Sequence, residues 1–303
     1  MKIGLGAPVS GAWATPEHLA HVARRAEEWG YHSLWSYQRL LSPADEPPGP
    51  MYRAVYDPIV PLAYAAALTS RIRLGVAVVN MPFVSPVLVA KQWATLDLLS
   101  GGRFDAGLGN GWSEEEYVAT GASRRAVGRR ADEFIRVLKL LWTDEVVAHR
   151  GEFYTVPRTR MEPKPAQRPH PPILLGGGAP GALRRAGRLC DGWVSSSRAD
   201  PRRLGESVAV VREAAERAGR DPATLRFVCR APVQVRPAGA PRRAPLVGTV
   251  DQIRQDLADL AGQGMTEVFV DLNFDPEIGS PDADPVRSRE RAEELMAAFA
   301  PGR

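Results

Sequence analysis

The sequence predicts an α/β protein whose eight strand–helix units close into a (β/α)8 TIM barrel. Three observations carry that expectation. Short β-branched runs alternate with helical patterns along the whole chain, and such alternation demands a parallel sheet, because each crossover helix returns the chain to start the next strand in the same direction. The alternations number eight, more than is usual for the doubly wound open sheet that is the alternative. The 303 residues are 44% apolar and 24% charged, an ordinary globular composition with chain enough for a barrel core that needs no disulfide staples.

The first unit pairs a strand at Lys2–Ala7 with a helix at Pro16–Trp29. Thr15 is the helix N-cap, Pro16 takes the first helical position, and Leu19, Val22, Ala23 and Ala26 recur at helical spacing. Ser33–Ser36 and Asp57–Leu68 form the second unit. Ile72–Val79 and Pro86–Leu99 form the third, its helix opened by Ser85-Pro86 and closed by Gly101-Gly102. The remaining units are Arg103–Leu108 with Ala126–Trp142, Ile173–Gly176 with Ala182–Leu189, Gly192–Ser195 with Pro201–Ala218, Leu225–Ala231 with Asp251–Gln263, and Glu267–Asp271 with Pro285–Phe299. Two insertions break the rhythm. Val146–Ala148 and Glu152–Thr155 flank Gly151 as a short hairpin, and the six prolines from Pro157 to Pro172 impose an extended, polyproline-like strap. Both read as insertions into one barrel, so residues 1–303 are expected to form a single domain. The loops Tyr37–Tyr56, Arg236–Val247 and Asn273–Asp284 follow strands and belong to the C-terminal face, where barrels do their chemistry.

Several functions are excluded early. Net charge is +4, yet Lys2, Lys91, Lys139 and Lys164 are the only lysines, and the arginine pairs, Arg242–Arg243 among them, are scattered among acids. No basic stripe tracks a nucleic-acid backbone. The longest apolar run, Ile59 to Leu68, contains Pro61 and falls short of the ~18 residues of a membrane span. The start lacks an apolar leader, and Cys190 and Cys229 alone suit a reducing compartment, so a cytoplasmic protein is expected. None of the five histidines falls at the C-terminal end of a strand, and neither H-E-x-x-H nor G-x-S-x-G occurs, so no metal site and no hydrolase triad is expected.

The glycine clusters are more informative. Ile173-Leu-Leu-Gly-Gly-Gly-Ala-Pro-Gly181 runs from a strand into a helix start, where unencumbered N–H groups make an anion seat; the plain reading is a tight turn. Ser195-Ser-Ser-Arg198 ends the next strand and would complete a phosphate clamp beside it. Gly107-Leu-Gly-Asn-Gly-Trp112 ends the fourth strand, with Asn110 able to donate and accept and Trp112 able to stack, and hands over to a capping box at Ser113 and Glu116. The third strand runs to Val78-Val-Asn-Met-Pro82. Trp13, Tyr37, Met81, Phe83, Trp112 and Tyr117 are expected around one mouth, as substrate contacts or as packing.

These stretches, with Ala26-Glu-Glu-Trp-Gly-Tyr-His-Ser-Leu-Trp35, Ser70-Arg-Ile-Arg-Leu-Gly-Val-Ala-Val-Val-Asn80, Ser85-Pro-Val-Leu-Val-Ala-Lys-Gln92, Asp97-Leu-Leu-Ser-Gly-Gly-Arg103 and Asp191-Gly-Trp193, resemble the bacterial-luciferase-like superfamily, and within it the branch using the deazaflavin coenzyme F420. They cover most of Met1 to Arg198; the last third matches loosely. The resemblance implies a planar ring across the barrel mouth and a strand-three bulge with a non-proline cis peptide at Val79–Asn80. It implies cofactor contacts from Val79, Asn80, Asn110 and Gly111, phosphate contacts from Gly176, Gly177, Gly178, Ser196, Ser197 and Arg198, and a homodimer; Trp13, Met81 and Trp112, by their place at the mouth, are the expected substrate contacts. Many relatives end strand two with Asp-His; here Gln38-Arg39 stands there, which leaves Tyr37, Gln38 and Arg39 as the catalytic candidates and Tyr37 as the local proton donor. The implied activity is F420-dependent hydride transfer to or from a small organic substrate. The alternatives are an FMN-dependent monooxygenase using O2 and a flavin-binding barrel without turnover.

Overall fold

The computed structural model describes residues 1–45, 49–239 and 244–301. Eight parallel strands build the barrel: β1 (Lys2–Gly6), β2 (Ser33–Ser36), β3 (Arg73–Val76), β4 (Phe104–Gly109), β5 (Ile173–Gly176), β6 (Gly192–Val194), β7 (Arg226–Ala231) and β8 (Glu267–Val270). Their order is β3-β2-β1-β8-β7-β6-β5-β4, and β4 closes the ring on β3 with Leu74 opposite Phe104 and Gly75 opposite Asp105. The outer helices are α1 (Pro16–Glu28), α2 (Val60–Leu68), α3 (Pro86–Leu99), α4 (Val127–Thr143), α5 (Pro180–Leu189), α6 (Leu204–Arg217), α7 (Val250–Gly262) and α8 (Pro285–Phe299). Thr15 accepts from the His18 N–H and Ser85 from the Val87 N–H, the caps expected ahead of Pro16 and Pro86.

Closing the sheet splits the core in two. A large apolar shell, including Trp93, Phe104, Phe134 and Trp142, fills the space between barrel and helices. A small plug inside the barrel stacks Trp35 on Phe269 at 5.2 Å among Leu174, Val194 and Val228. Below the plug lies a buried ionic layer. Asp105 accepts from Arg73 Nε (2.9 Å) and Arg226 Nη1 (2.6 Å), and Arg226 Nη2 reaches on to Glu267 (2.8 Å). Burial alone would raise the Asp105 carboxyl, but Arg226 and Arg73 hold it below the ordinary carboxylate range.

The expected units are present, with corrections at their edges. The Asp57–Leu68 helix starts at Val60, because Asp57 Oδ1 takes the N–H groups of Ile59 (2.8 Å) and Val60 (3.0 Å) in a turn before it. Pro201–Ala218 opens as a 3-10 turn at Pro201–Arg203 before α6. The Ile72–Val79 strand is not continuous: it stops at Val76 and resumes at Val79–Asn80, where Val79 lies opposite Leu108, so one extra residue is accommodated. The non-proline cis peptide is in that break, at Ala77–Val78, and not at Val79–Asn80. Gly107 makes room for it, since a Cβ there would overlap the Val76 carbonyl oxygen.

The hairpin pairs Val147–Arg150 with Thr155–Thr159, so its second strand begins where it was expected to end and takes Pro157 into an edge position. The rest of the strap has no regular secondary structure, with cis bonds before Pro163 and Pro169. It is tied down by Asp97, which accepts from the Gln167 N–H (2.8 Å) and Nε2 (2.7 Å), by Lys91 donating to the Glu162 carbonyl, and by Lys164 donating to the carbonyls of Leu141 (2.9 Å) and Asp144 (2.5 Å). Arg242, Arg243 and parts of the Tyr37–Tyr56 and Arg236–Val247 loops lie outside the described residues. No described helix is long and apolar enough to cross a membrane, and among the described residues no cluster of metal-ligating side chains occurs.

Candidate active site

A cavity of about 360 Å³ opens at the C-terminal ends of the strands. Its wall runs from Tyr37 and Gln38 after β2, past Val78 and Asn80 of the strand-three bulge and Asn110, Gly111 and Trp112 after β4, to Gly176–Gly178 after β5 and Ser195–Ser197 after β6. The structure thus brings together most of the residues singled out from sequence.

The β5 side is a backbone cradle. Gly177 has φ 117°, a conformation that favours glycine, and its carbonyl is fixed by Trp193 Nε1 at 2.9 Å. A Cβ at Gly178 would meet nothing within 4 Å. Among the described residues the N–H groups of Gly178, Ala179 and Ser197 donate to no protein acceptor, and α5 starts at Pro180 with no side-chain cap. Open space beneath uncommitted donors at a helix start suits a phosphate. Asn110, another lining residue, has its Oδ1 buried without a partner. A phosphorylated ring cofactor therefore fits the donor set.

The glycines at the end of β4 pack closely against the strand-three segment. A Cβ at Gly109 would strike Val78 and one at Gly111 would strike Phe83, so both make room for the bulge and the turn behind it.

The strand-two residues divide. Gln38 Oε1 accepts from the Asn80 N–H at 2.9 Å, which locks the bulge to β2. Tyr37 faces the cavity with its ring while its hydroxyl donates to the Met51 carbonyl at 2.9 Å; burial, reinforced by Asp271, pushes its pKa well above the usual phenol range. Arg39 turns away from the cavity: its guanidinium lies over the rings of Trp112 (4.5 Å) and Tyr52 (5.4 Å) with Nε 3.5 Å from Glu116. Glu116 in turn accepts from the Leu40 (2.7 Å) and Leu41 (3.2 Å) N–H groups. The expected capping box is therefore half present, with Ser113 accepting from the Glu116 N–H while the Glu116 carboxylate holds the Arg39 loop instead.

Trp13, Val79 and Met81 lie in the core and do not line the cavity. Trp13 is fully buried with Nε1 donating to Asn273 Oδ1 at 3.1 Å, and Val79 and Met81 are buried members of the apolar shell. Arg198 stacks over Trp112 at 4.6 Å beside the cavity. Trp112 itself is 47% exposed at the rim. Sequence reasoning missed Tyr52 and Arg230. Tyr52 lies mid-loop with no motif around it. Arg230 ends β7, a position that a barrel gives to its chemistry, and that placement was the available signal.

A closed parallel barrel with a cavity at the C-terminal ends of its strands is the arrangement of α/β-barrel enzymes. The model of the luciferase-like monooxygenase family matches residues 3–244, and the chain belongs to that family. It is 31% identical over 288 residues to an uncharacterized protein of Mycobacterium tuberculosis, covering 91% of this chain and 92% of that one. It is 32% identical over 196 residues to the F420-dependent glucose-6-phosphate dehydrogenase of Kineococcus radiotolerans (64% of this chain, 56% of that one). To the FMNH2-dependent dimethylsulfone monooxygenase of Pseudomonas putida it is 37% identical over 133 residues (43% and 36%). Among solved structures, the monooxygenase RslO1 of Streptomyces bottropensis superposes with a TM-score of 0.81 at 25% identity, over 99% of this chain and 98% of that one.

Proposed function

We propose that the protein is an oxidoreductase that moves a hydride between coenzyme F420 and a small organic substrate in the cavity above Val78. The observation that carries this reading is the cradle of Gly176–Gly178 facing Ser196 and Ser197, with open space and uncommitted N–H groups where a cofactor phosphate needs them. The longer match to the F420-dependent relative supports the choice of cofactor. When bound, the deazaflavin supplies hydride chemistry and the protein supplies position and electrostatics. Gly178, Ser196 and Ser197 hold the phosphate, with Arg198 beside it. Val78, buttressed through the Gln38–Asn80 bond, presses on one side of the cavity, while Asn110 and Gly111 border the other. Trp112, braced by Arg39, screens the rim from water. Tyr37 stays protonated through the neutral range and keeps its proton on Met51.

A second reading, FMN-dependent oxygenation, draws support from RslO1 and the FMN-dependent relative. Titrating the purified protein with F420 and, separately, with FMN, followed by quenching of intrinsic tryptophan fluorescence, decides between them. Saturable binding of F420 with at least tenfold preference over FMN is expected. A reversed preference selects the oxygenase reading, and binding of neither overturns both.

A further inference from the structure

Arg230 is an unusual group to find in the floor of this cavity. Its side chain is only 8% exposed, and it is the one charged residue among the described residues that line the cavity wall. Asp271 accepts from Nε at 2.7 Å, the Ala77 carbonyl accepts from Nη1 at 3.3 Å, and the rings of Tyr37 and Phe274 lie against the guanidinium at 4.3 and 4.5 Å. Nη2 is buried and has no partner. A guanidinium fixed on several sides, with one donor left over, is costly unless something meets that donor. Asp271 is itself held by Asn273, whose N–H and Nδ2 both donate to Oδ1, at 3.2 and 2.8 Å, so the carboxylate cannot swing round to the vacant edge.

We infer that Arg230 is a substrate anchor, its Nη2 hydrogen-bonding an oxyanion of a small planar acid, such as a carboxylate attached to an aromatic or unsaturated carbon. The charge argument is direct. No Asp, Glu, His or Lys lines the cavity among the described residues, and Asp271, which holds Nε, is not among the lining residues, so the one charge in the cavity wall is cationic. The shape argument points the same way, since Tyr37, Tyr52 and Trp112 offer aromatic surface above that donor. The anchor comes from β7 and the glycine cradle from β5, with β6 between them, where Ser195 Oγ accepts the Arg230 backbone N–H at 3.0 Å. The inference rests on the cavity being the reaction chamber of the proposed function, and it assigns the part of that chamber that chooses the substrate. Asp271 is a positioning residue that acts through Arg230.

The test uses benzoate as the probe acid and is read first on the protein without cofactor, by isothermal titration calorimetry, so that it is independent of which cofactor binds. Benzoate is expected to bind saturably to the wild type and about ten- to a hundredfold more weakly to Arg230→Met, the usual loss for a charge-assisted hydrogen bond. Benzyl alcohol should bind both proteins alike. Because Arg230→Met strands the Asp271 carboxylate, the pair Arg230→Gln/Asp271→Asn serves as the folded control, and Arg230→Lys should recover part of the affinity. Each variant is then titrated with F420 and FMN. Unchanged cofactor affinity, with benzoate still binding to the loaded protein, supports the anchor. Equal benzoate affinity in wild type and variants, no binding to wild type, or displacement of benzoate by inorganic phosphate overturns it. Loss of cofactor affinity in the Arg230 variants also overturns it, by assigning Nη2 to an oxygen of the cofactor. Failure of the wild type to bind either cofactor bears on the proposed function alone.

Discussion

At the scale of single residues, His18 shows how a side chain outside the site sets a condition on the fold. It is buried on α1 with Nε2 unpartnered, its ring 5.6 Å from Trp13 and 5.9 Å from His21. Burial, with His21 and Arg289 nearby, lowers its pKa from 6.5 to about 4. The unfolded chain then binds a proton that the folded one refuses, so stability falls as pH drops from about 6.5 towards 4. His18→Phe should flatten that part of the profile of denaturation midpoint against pH; an unchanged slope would assign it to other groups. Trp13, packed against His18, also marks the limit of reading a site from residue type. An aromatic after a strand looks the same in sequence whether it faces a ligand or, as here, satisfies Asn273 inside the core.

At the scale of elements, caps and alternation were legible because they are written in neighbouring residues, as at Thr15-Pro16 and Ser85-Pro86. The interruption of β3 was legible only in outline. Its position depends on Gly107 and Gly109, one strand away, having no side chains, and such space is invisible to local pattern. The role of Glu116 was hidden for the same reason: the short helix Glu114–Ala119 reaches across to a loop more than seventy residues earlier in the chain, where its carboxylate holds the Leu40 and Leu41 N–H groups and faces Arg39. Glu116→Ala leaves Arg39 buried without its counter-ion and should cost about 3–5 kcal/mol in chemical denaturation. It should also speed proteolysis of the segment after Leu41, and a variant as resistant as wild type would show that the segment is held by other contacts.

At the scale of the whole molecule, the barrel count was readable from composition and rhythm, but what fills the barrel was not. Asp105, Arg226 and Glu267 each look like ordinary strand-edge charges, and only closure of the sheet brings β4, β7 and β8 to one layer. Asp105→Ala should lower unfolding free energy by about 3–5 kcal/mol, since two arginines lose their buried acceptor. Because the arginines hold the Asp105 carboxyl below its ordinary value of 3.8, its contribution is present above that pH and is lost as pH falls below it. In urea titrations the gap between wild type and variant should be smaller at about pH 3 than at neutral pH.

The scarcity of lysine has a practical side. Three of the four ammonium groups, those of Lys91, Lys139 and Lys164, are engaged with backbone carbonyls, and arginine does not react with amine-directed esters. Lys2, by contrast, is exposed at the start of β1, the pole opposite the cavity, and among the described residues donates to no carbonyl. A dye or a solid support coupled through Lys2 would hold the molecule by its base and present its mouth to the solution.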